Sequence, residues 1–155
     1  MDIKSTMSLA DCENNLYKKD KKGGNAFNLE RASIYYLDVL GEPELLGNHG
    51  DIYHLLEDES VVEALLAFKS PRFLILTCGW ASPTEGNKDP EGRPSKHPDR
   101  RRVRLSLAVS PEQTVSYLRF KDDPKEVIVA DDGRGTLAEA AQELMKQVIN
   151  KKAGK

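Results

Sequence analysis

The side chains in this chain that are able to do chemistry gather in one stretch. Residues 78–105 read CGWASPTEGNKDPEGRPSKHPDRRRVRL and hold a thiol (Cys78), the single tryptophan (Trp80), a histidine (His97) close to a carboxylate (Asp99), and seven cations that end in Arg100, Arg101, Arg102 and Arg104. Three chemistries use such groups. A thiolate can attack an electrophile when a histidine takes its proton and a carboxylate orients the ring, which casts Cys78, His97 and Asp99 as nucleophile, base and orienting acid. No spacing in the stretch defines that arrangement. Cys78 at the end of an apolar run also reads as a small inert core residue, and His97 beside Pro98 as an exposed loop histidine.

Metal binding is the second chemistry. His49, His54, His97 and Cys78 are the candidate ligands, but His49 and His54 are five apart and do not share a helical face. No C-x-x-C or H-E-x-x-H pattern accompanies them, so no metal is expected. Nor is a cofactor expected. Gly133-Arg134-Gly135-Thr136 resembles a minimal anion cradle before a helix, yet no Walker lysine and no G-x-G-x-x-G after a strand is present, and the glycines read as turn residues.

Anion binding is the third. Arg100, Arg101, Arg102, Arg104 and Arg119, with Lys121 and Tyr117, make a cation-rich set in which guanidinium forks match carboxylate or phosphate oxygens and an aromatic ring can stack. Residues 88–104 carry seven basic and three acidic side chains, +4, which leaves −6 elsewhere in a chain of net charge −2. Residues 42–63 hold seven acids and no Lys or Arg, so they can serve as an internal counterweight that makes the basic set an ordinary solvated face. A pI near 6.0 is unlike that of a dedicated nucleic-acid binder, without excluding a nucleic-acid partner. Trp80 is either an anchor that pins the loop to the sheet or an exposed contact for a partner.

The elements that must position these groups follow from periodicity. One domain is expected from 155 residues. Residues 1–28 are rich in Lys, Asp, Asn and Gly and read as a flexible tail, with residues 29–155 as a single domain. Asn28, a stripe through Leu29, Tyr36 and Leu40, and the Gly41/Pro43 stop predict a helix over 29–40, although IYYLDVL is also rich in β-formers. Residues 44–56 are ambiguous between short helix and loop. Asp58 caps a predicted helix carrying Val61, Val62, Leu65 and Leu66, and RFLILTC over 72–78 reads as a central buried strand.

After the long loop, Val103, Leu105, Leu107 and Val109 alternate with polar neighbours, and a short 110–113 connection leads to a strand over 114–120. Pairing the two sets Val103 opposite Phe120, Leu105 opposite Leu118, and Arg104 opposite Arg119. Like charges placed so are destabilising, and the pair calls for an anion or carboxylate nearby. Residues 126–130 predict a last strand with Val127 and Val129 on the inner face and Glu126 answering Lys121. A final helix starts at a Thr136/Glu139 capping box and carries Leu137, Ala141, Leu144, Met145 and Val148. The expected fold is α+β: a mainly antiparallel four-stranded sheet, helices packed on one face, and a long loop between the first and second strands.

Two cysteines far apart and no leader or membrane-length apolar segment point to a reducing cytoplasm. The pairing of TCGWASP with SKHPDRRRVRLSLAV, over residues 77–109, resembles a group of small uncharacterised bacterial proteins with a GWA-P turn before a His-Pro-Asp/Glu-Arg-Arg-Arg strand start. That resemblance implies no activity and no catalytic residue. The reading with most support is a non-enzymatic intracellular binding or adaptor module in which Trp80 and the arginine face engage an acidic protein surface or a phosphate-bearing ligand; the alternative is a small enzyme using Cys78 with His97.

Overall fold

The computed structural model describes residues 9–38, 42–68, 71–81, 98–130 and 136–154. Its centre is a six-stranded, wholly antiparallel sheet in the order β2-β1-β3-β4-β5-β6, where four strands were expected. The strands are β1 (Ala32–Leu37), β2 (Pro43–His49), β3 (Phe73–Ala81), β4 (Arg101–Val109), β5 (Thr114–Phe120) and β6 (Val127–Ala130). Four helices accompany them among the described residues: α1 (Leu9–Lys22), α2 (Ile52–Glu57), α3 (Glu59–Leu66) and α4 (Thr136–Ala153).

Alternation along the central strands explains the layers. One face of β1, β3 and β4 presents Ile34, Tyr36, Phe73, Ile75, Leu107 and Val109, and on it pack Leu55, Leu56, Val61, Val62 and Leu65 of α2 and α3 together with Ala141, Leu144 and Val148 of α4. The opposite face presents Leu37, Leu74, Leu76 and Ala108, and these are met by Cys12 and Leu16 of α1. β3 is thus apolar on both sides because both sides are covered, as its unbroken RFLILTC run predicts. Helices therefore lie on both faces of the sheet and not on one.

Three further expectations are corrected. The segment expected as a tail contains α1, whose Cys12, Glu13, Leu16 and Tyr17 are buried along one side of the helix. Its Gly23 and Gly24 are a helix stop: Gly24 takes φ +79°, a conformation costly for other residues, while the Gly23 and Asn25 N–H groups close on Lys19 O and Asp20 O. Residues 32–37 of the expected 29–40 helix form β1, because the β-rich SIYYL run finds partners on both sides, in β2 and β3. The ambiguous 44–56 region is β2 followed by the start of α2.

Two of the acids of residues 42–63 have local work. Asp51 accepts the Tyr53 N–H at 3.0 Å to cap α2, and Asp58 accepts the Ser60 N–H at 2.9 Å to cap α3, the cap expected for that helix. The hydrogen bond from the Ser60 hydroxyl, and then that from the Ser60 N–H, hold the Asp58 carboxyl below the usual range. Each of Asp51→Ala and Asp58→Ala is predicted to lower the midpoint of urea unfolding. Because a cap acts over one turn, the loss persists in roughly 0.5 M salt, where a long-range counterweight to the arginines would be screened out.

Candidate functional site

Strand register arranges the basic residues as rows across β3, β4 and β5. Cys78 pairs with Arg104 and Arg104 with Arg119, so these three form one row on the α1 face, with the Arg104/Arg119 opposition that the alternation predicts. One step inward the row is Leu76, Ser106 and Tyr117. One step outward it is Trp80, Arg102 and Lys121, the last joined through its N–H to Arg102 O.

The Arg104 row is enclosed and neutralised. Glu13 accepts from Arg119 Nε at 3.0 Å and Nη2 at 2.6 Å, a two-pronged bond between side chains that are 3% and 8% exposed. Pro124 O takes Arg119 Nη1 at 2.6 Å, and the Tyr17 ring lies 4.2 Å from the Arg119 guanidinium. Arg104 is completely buried; its Nη1 donates to Ala26 O at 3.0 Å and its Nη2 lies 2.7 Å from Asp20 Oδ2. That second contact is an ion pair whose N–H does not point along the line to the oxygen, and among the described residues Arg104 Nε and the Ser106 hydroxyl make no hydrogen bond. The anion that the opposed arginines call for is supplied by α1, through Glu13 and Asp20 two turns apart, and not by residues 42–63.

Cys78 belongs to the same enclosure. Its thiol donates to Ala26 O at 3.5 Å, and burial pushes its pKa up despite Arg102 and Arg104 nearby. A nucleophilic thiolate needs the opposite shift. Asp99 is exposed, and His97, the base of the enzymatic reading, lies outside the described residues, as do Gly133, Arg134 and Gly135 of the anion cradle. His49 and His54 stack at 3.9 Å, with His49 Nδ1 taken by the Asp51 N–H; the described residues contain no group of three or more potential metal ligands.

The outward row is open. Trp80 is 38% exposed and has two guanidiniums over its ring, Arg100 at 4.8 Å and Arg102 at 5.1 Å from the centroid. Arg102 Nε is anchored on Phe27 O at 2.9 Å, which fixes the fork beside the indole. Next to this row, an open hollow of about 260 Å³ is lined by Tyr17, Lys21, Gly24, Ala26, Phe27, Asn28 and Lys121. Two residues of the expected set stand elsewhere. Arg101 projects to the other face over the Phe120 ring at 3.9 Å and is held by Asp122 and Glu126, so Glu126 answers Arg101 and not Lys121. Tyr117 is buried at 8%.

Lys21 and Phe27 are the members of this surface that sequence reasoning left in the tail. A usable signal is the spacing of Glu13, Tyr17, Asp20 and Lys21, which places carboxylates, ring and ammonium on one side of a helix. Comparison with protein-family models, curated proteins and solved structures finds no match for this chain. No helix among the described residues is long and apolar enough to cross a membrane.

Two outcomes follow from this geometry. Glu13→Gln leaves the Arg119 charge buried without its partner and is predicted to lower unfolding free energy by about 3 kcal/mol, whereas Glu13→Leu with Arg119→Met returns it to within about 1 kcal/mol of the parent. Urea titration checks both. The second concerns pH: burial, then the Glu13 carboxylate, push the Cys12 thiol from 9.0 up to about 11, and burial raises Tyr35 and Cys78 in the same direction. The unfolded chain then releases these protons first, so the stability is complete below pH 9 and is lost as pH rises toward about 11. The urea midpoint is expected to fall across that window, and Cys12→Ala to flatten the fall.

Proposed function

We propose that the protein is a non-enzymatic binding or adaptor module of the cytoplasm that captures an acidic protein segment or a phosphate-bearing group on the surface made by Trp80, Arg100, Arg102 and Lys121, with Lys21 at its margin. The observation that carries this reading is the exposed indole with two guanidiniums within about 5 Å of its ring. Arg104 and Arg119 are already engaged by carboxylates of the same chain, so on this face the row beyond them supplies Arg102 and Lys121. Arg102 is oriented before any ligand arrives, which reduces the side-chain entropy lost on binding. The phosphate or carboxylate oxygens take the guanidinium edges, and the hollow beside Lys121 and Phe27 accommodates the adjoining part of the ligand.

The enzymatic alternative has less support, since the raised pKa of Cys78 keeps it a thiol at neutral pH. Iodoacetamide labelling at Cys78 is expected to run no faster than for free cysteine; a faster rate favours the enzyme.

Trp80 reports directly on the binding reading. Addition of polyglutamate or pyrophosphate is expected to change its emission saturably and protect it from iodide quenching, with affinity falling steeply between roughly 0.05 M and 0.5 M salt. Replacing Arg100, Arg102 and Lys121 together by Ser is expected to weaken binding at least about tenfold, the scale of one lost charge-assisted hydrogen bond. Emission indifferent to every anion overturns the reading.

A further inference from the structure

We propose that β6 is a homodimerisation edge, at which a second copy of this chain pairs antiparallel about a two-fold axis through Ile128. The argument starts from the phase of the hydrogen-bond ladder. Lys121 N–H donates to Arg102 O and Phe120 N–H to Glu126 O, so odd-numbered residues of β5 bond to β4 and even-numbered ones to β6. In β6 it follows that the Ile128 backbone is turned to Leu118, while the N–H and C=O groups of Val127 and Val129 point out of the sheet at an edge that no other strand among the described residues pairs.

Those groups are complementary to themselves. A two-fold axis perpendicular to the sheet must set a residue opposite its own copy, because directly paired residues share a face. Placed on Ile128, it brings Val127 opposite Val129 of the second copy, and the reverse, each pair exchanging two N–H to C=O bonds. The two Ile128 side chains then meet in the closely spaced, non-hydrogen-bonded position. Ile128 is 47% and Val129 52% exposed, on opposite faces of the strand, so the pairing covers apolar surface on both sides.

The two edges of the sheet are treated differently, which favours this occupant at β6. β2 carries Pro43, Glu44 and a register break opposite Ile34/Tyr35, all features that discourage edge pairing. β6 is Val-Ile-Val-Ala, regular over its four residues and without a charge or proline. The predicted pairing of Val127 and Val129 with the inner face is corrected by the same register: they share the arginine face, opposite Arg119 and Tyr117, and Ile128 shares the face of Leu118.

A four-residue contact makes a concentration-dependent dimer. Sedimentation equilibrium of the full chain is expected to show reversible monomer–dimer exchange. Val129→Pro removes an N–H that β5 does not use, so the fold is kept while two of the four intermolecular bonds are lost; Ile128→Lys sets like charges opposite each other across the axis. Each is expected to raise the dimer dissociation constant at least about tenfold. In a Cys78→Ser background, Ile128→Cys is expected to cross-link spontaneously in air, because its Cα atoms come within about 4.5 Å, whereas Val127→Cys and Val129→Cys alone do not meet their own copies. A chain that stays monomeric up to roughly 1 mM, or a dimer indifferent to both edge substitutions, overturns the proposal.

Discussion

Two arginines placed directly opposite each other across β4 and β5 set the terms for the rest of the molecule. The Arg104/Arg119 pairing is fixed by strand register, and register is fixed by the apolar residues on the opposite face, where Val103 meets Phe120 and Leu105 meets Leu118. A one-residue slip would bring the arginines into the helical core, so the chain keeps them together and neutralises them. α1 performs the neutralisation. Glu13 and Asp20, spaced two turns apart, reach the two arginines from one helix, while Tyr17 lies across both guanidiniums and Cys12 and Leu16 seat the helix on Leu74 and Leu76.

This clamp divides one basic cluster into a buried half and an outward half. Inside it, charge is consumed: Arg104 is completely buried, and the Ala26 carbonyl between α1 and β1 receives both Arg104 and the Cys78 thiol. Outside it, Phe27 O orients Arg102 beside Trp80, and Lys121 closes the row. The same 26–27 turn therefore ends the buried cluster and positions the open one. A thiol and an arginine run that together suggest catalysis in the sequence are separated into a half-buried cysteine whose pKa burial raises and an exposed cation–aromatic surface.

Much of this was legible in the sequence, and the exceptions have physical causes. The β4/β5 register could be read residue by residue because a short turn and strict alternation leave one consistent pairing. Asp58 was legible as a cap because capping is local. α1 was not, because a count of large apolar residues misses a helix seated by Cys12, by Leu9, Leu16 and Tyr17, and by a carboxylate that becomes buried only when its arginine partner, 106 positions away, is known. β1 was assigned to a helix because its stop signals are shared by both elements, and only pairing with β2 and β3 decides the matter. The phase of β6 depended on the Asp122–Pro124 turn, whose length the sequence leaves open; Arg101 and Arg119 hold that turn through Asp122 and Pro124 O.

The division of the basic cluster can be tested in one titration. In a ¹H–¹⁵N spectrum that resolves the indole N–H of Trp80 and the arginine Nε–H groups, polyglutamate should shift Trp80, Arg100 and Arg102 saturably while Arg104 and Arg119 stay in place, since their oxygens are already supplied by α1. Shifts concentrated on Arg104 and Arg119, or none at Trp80, would contradict the account.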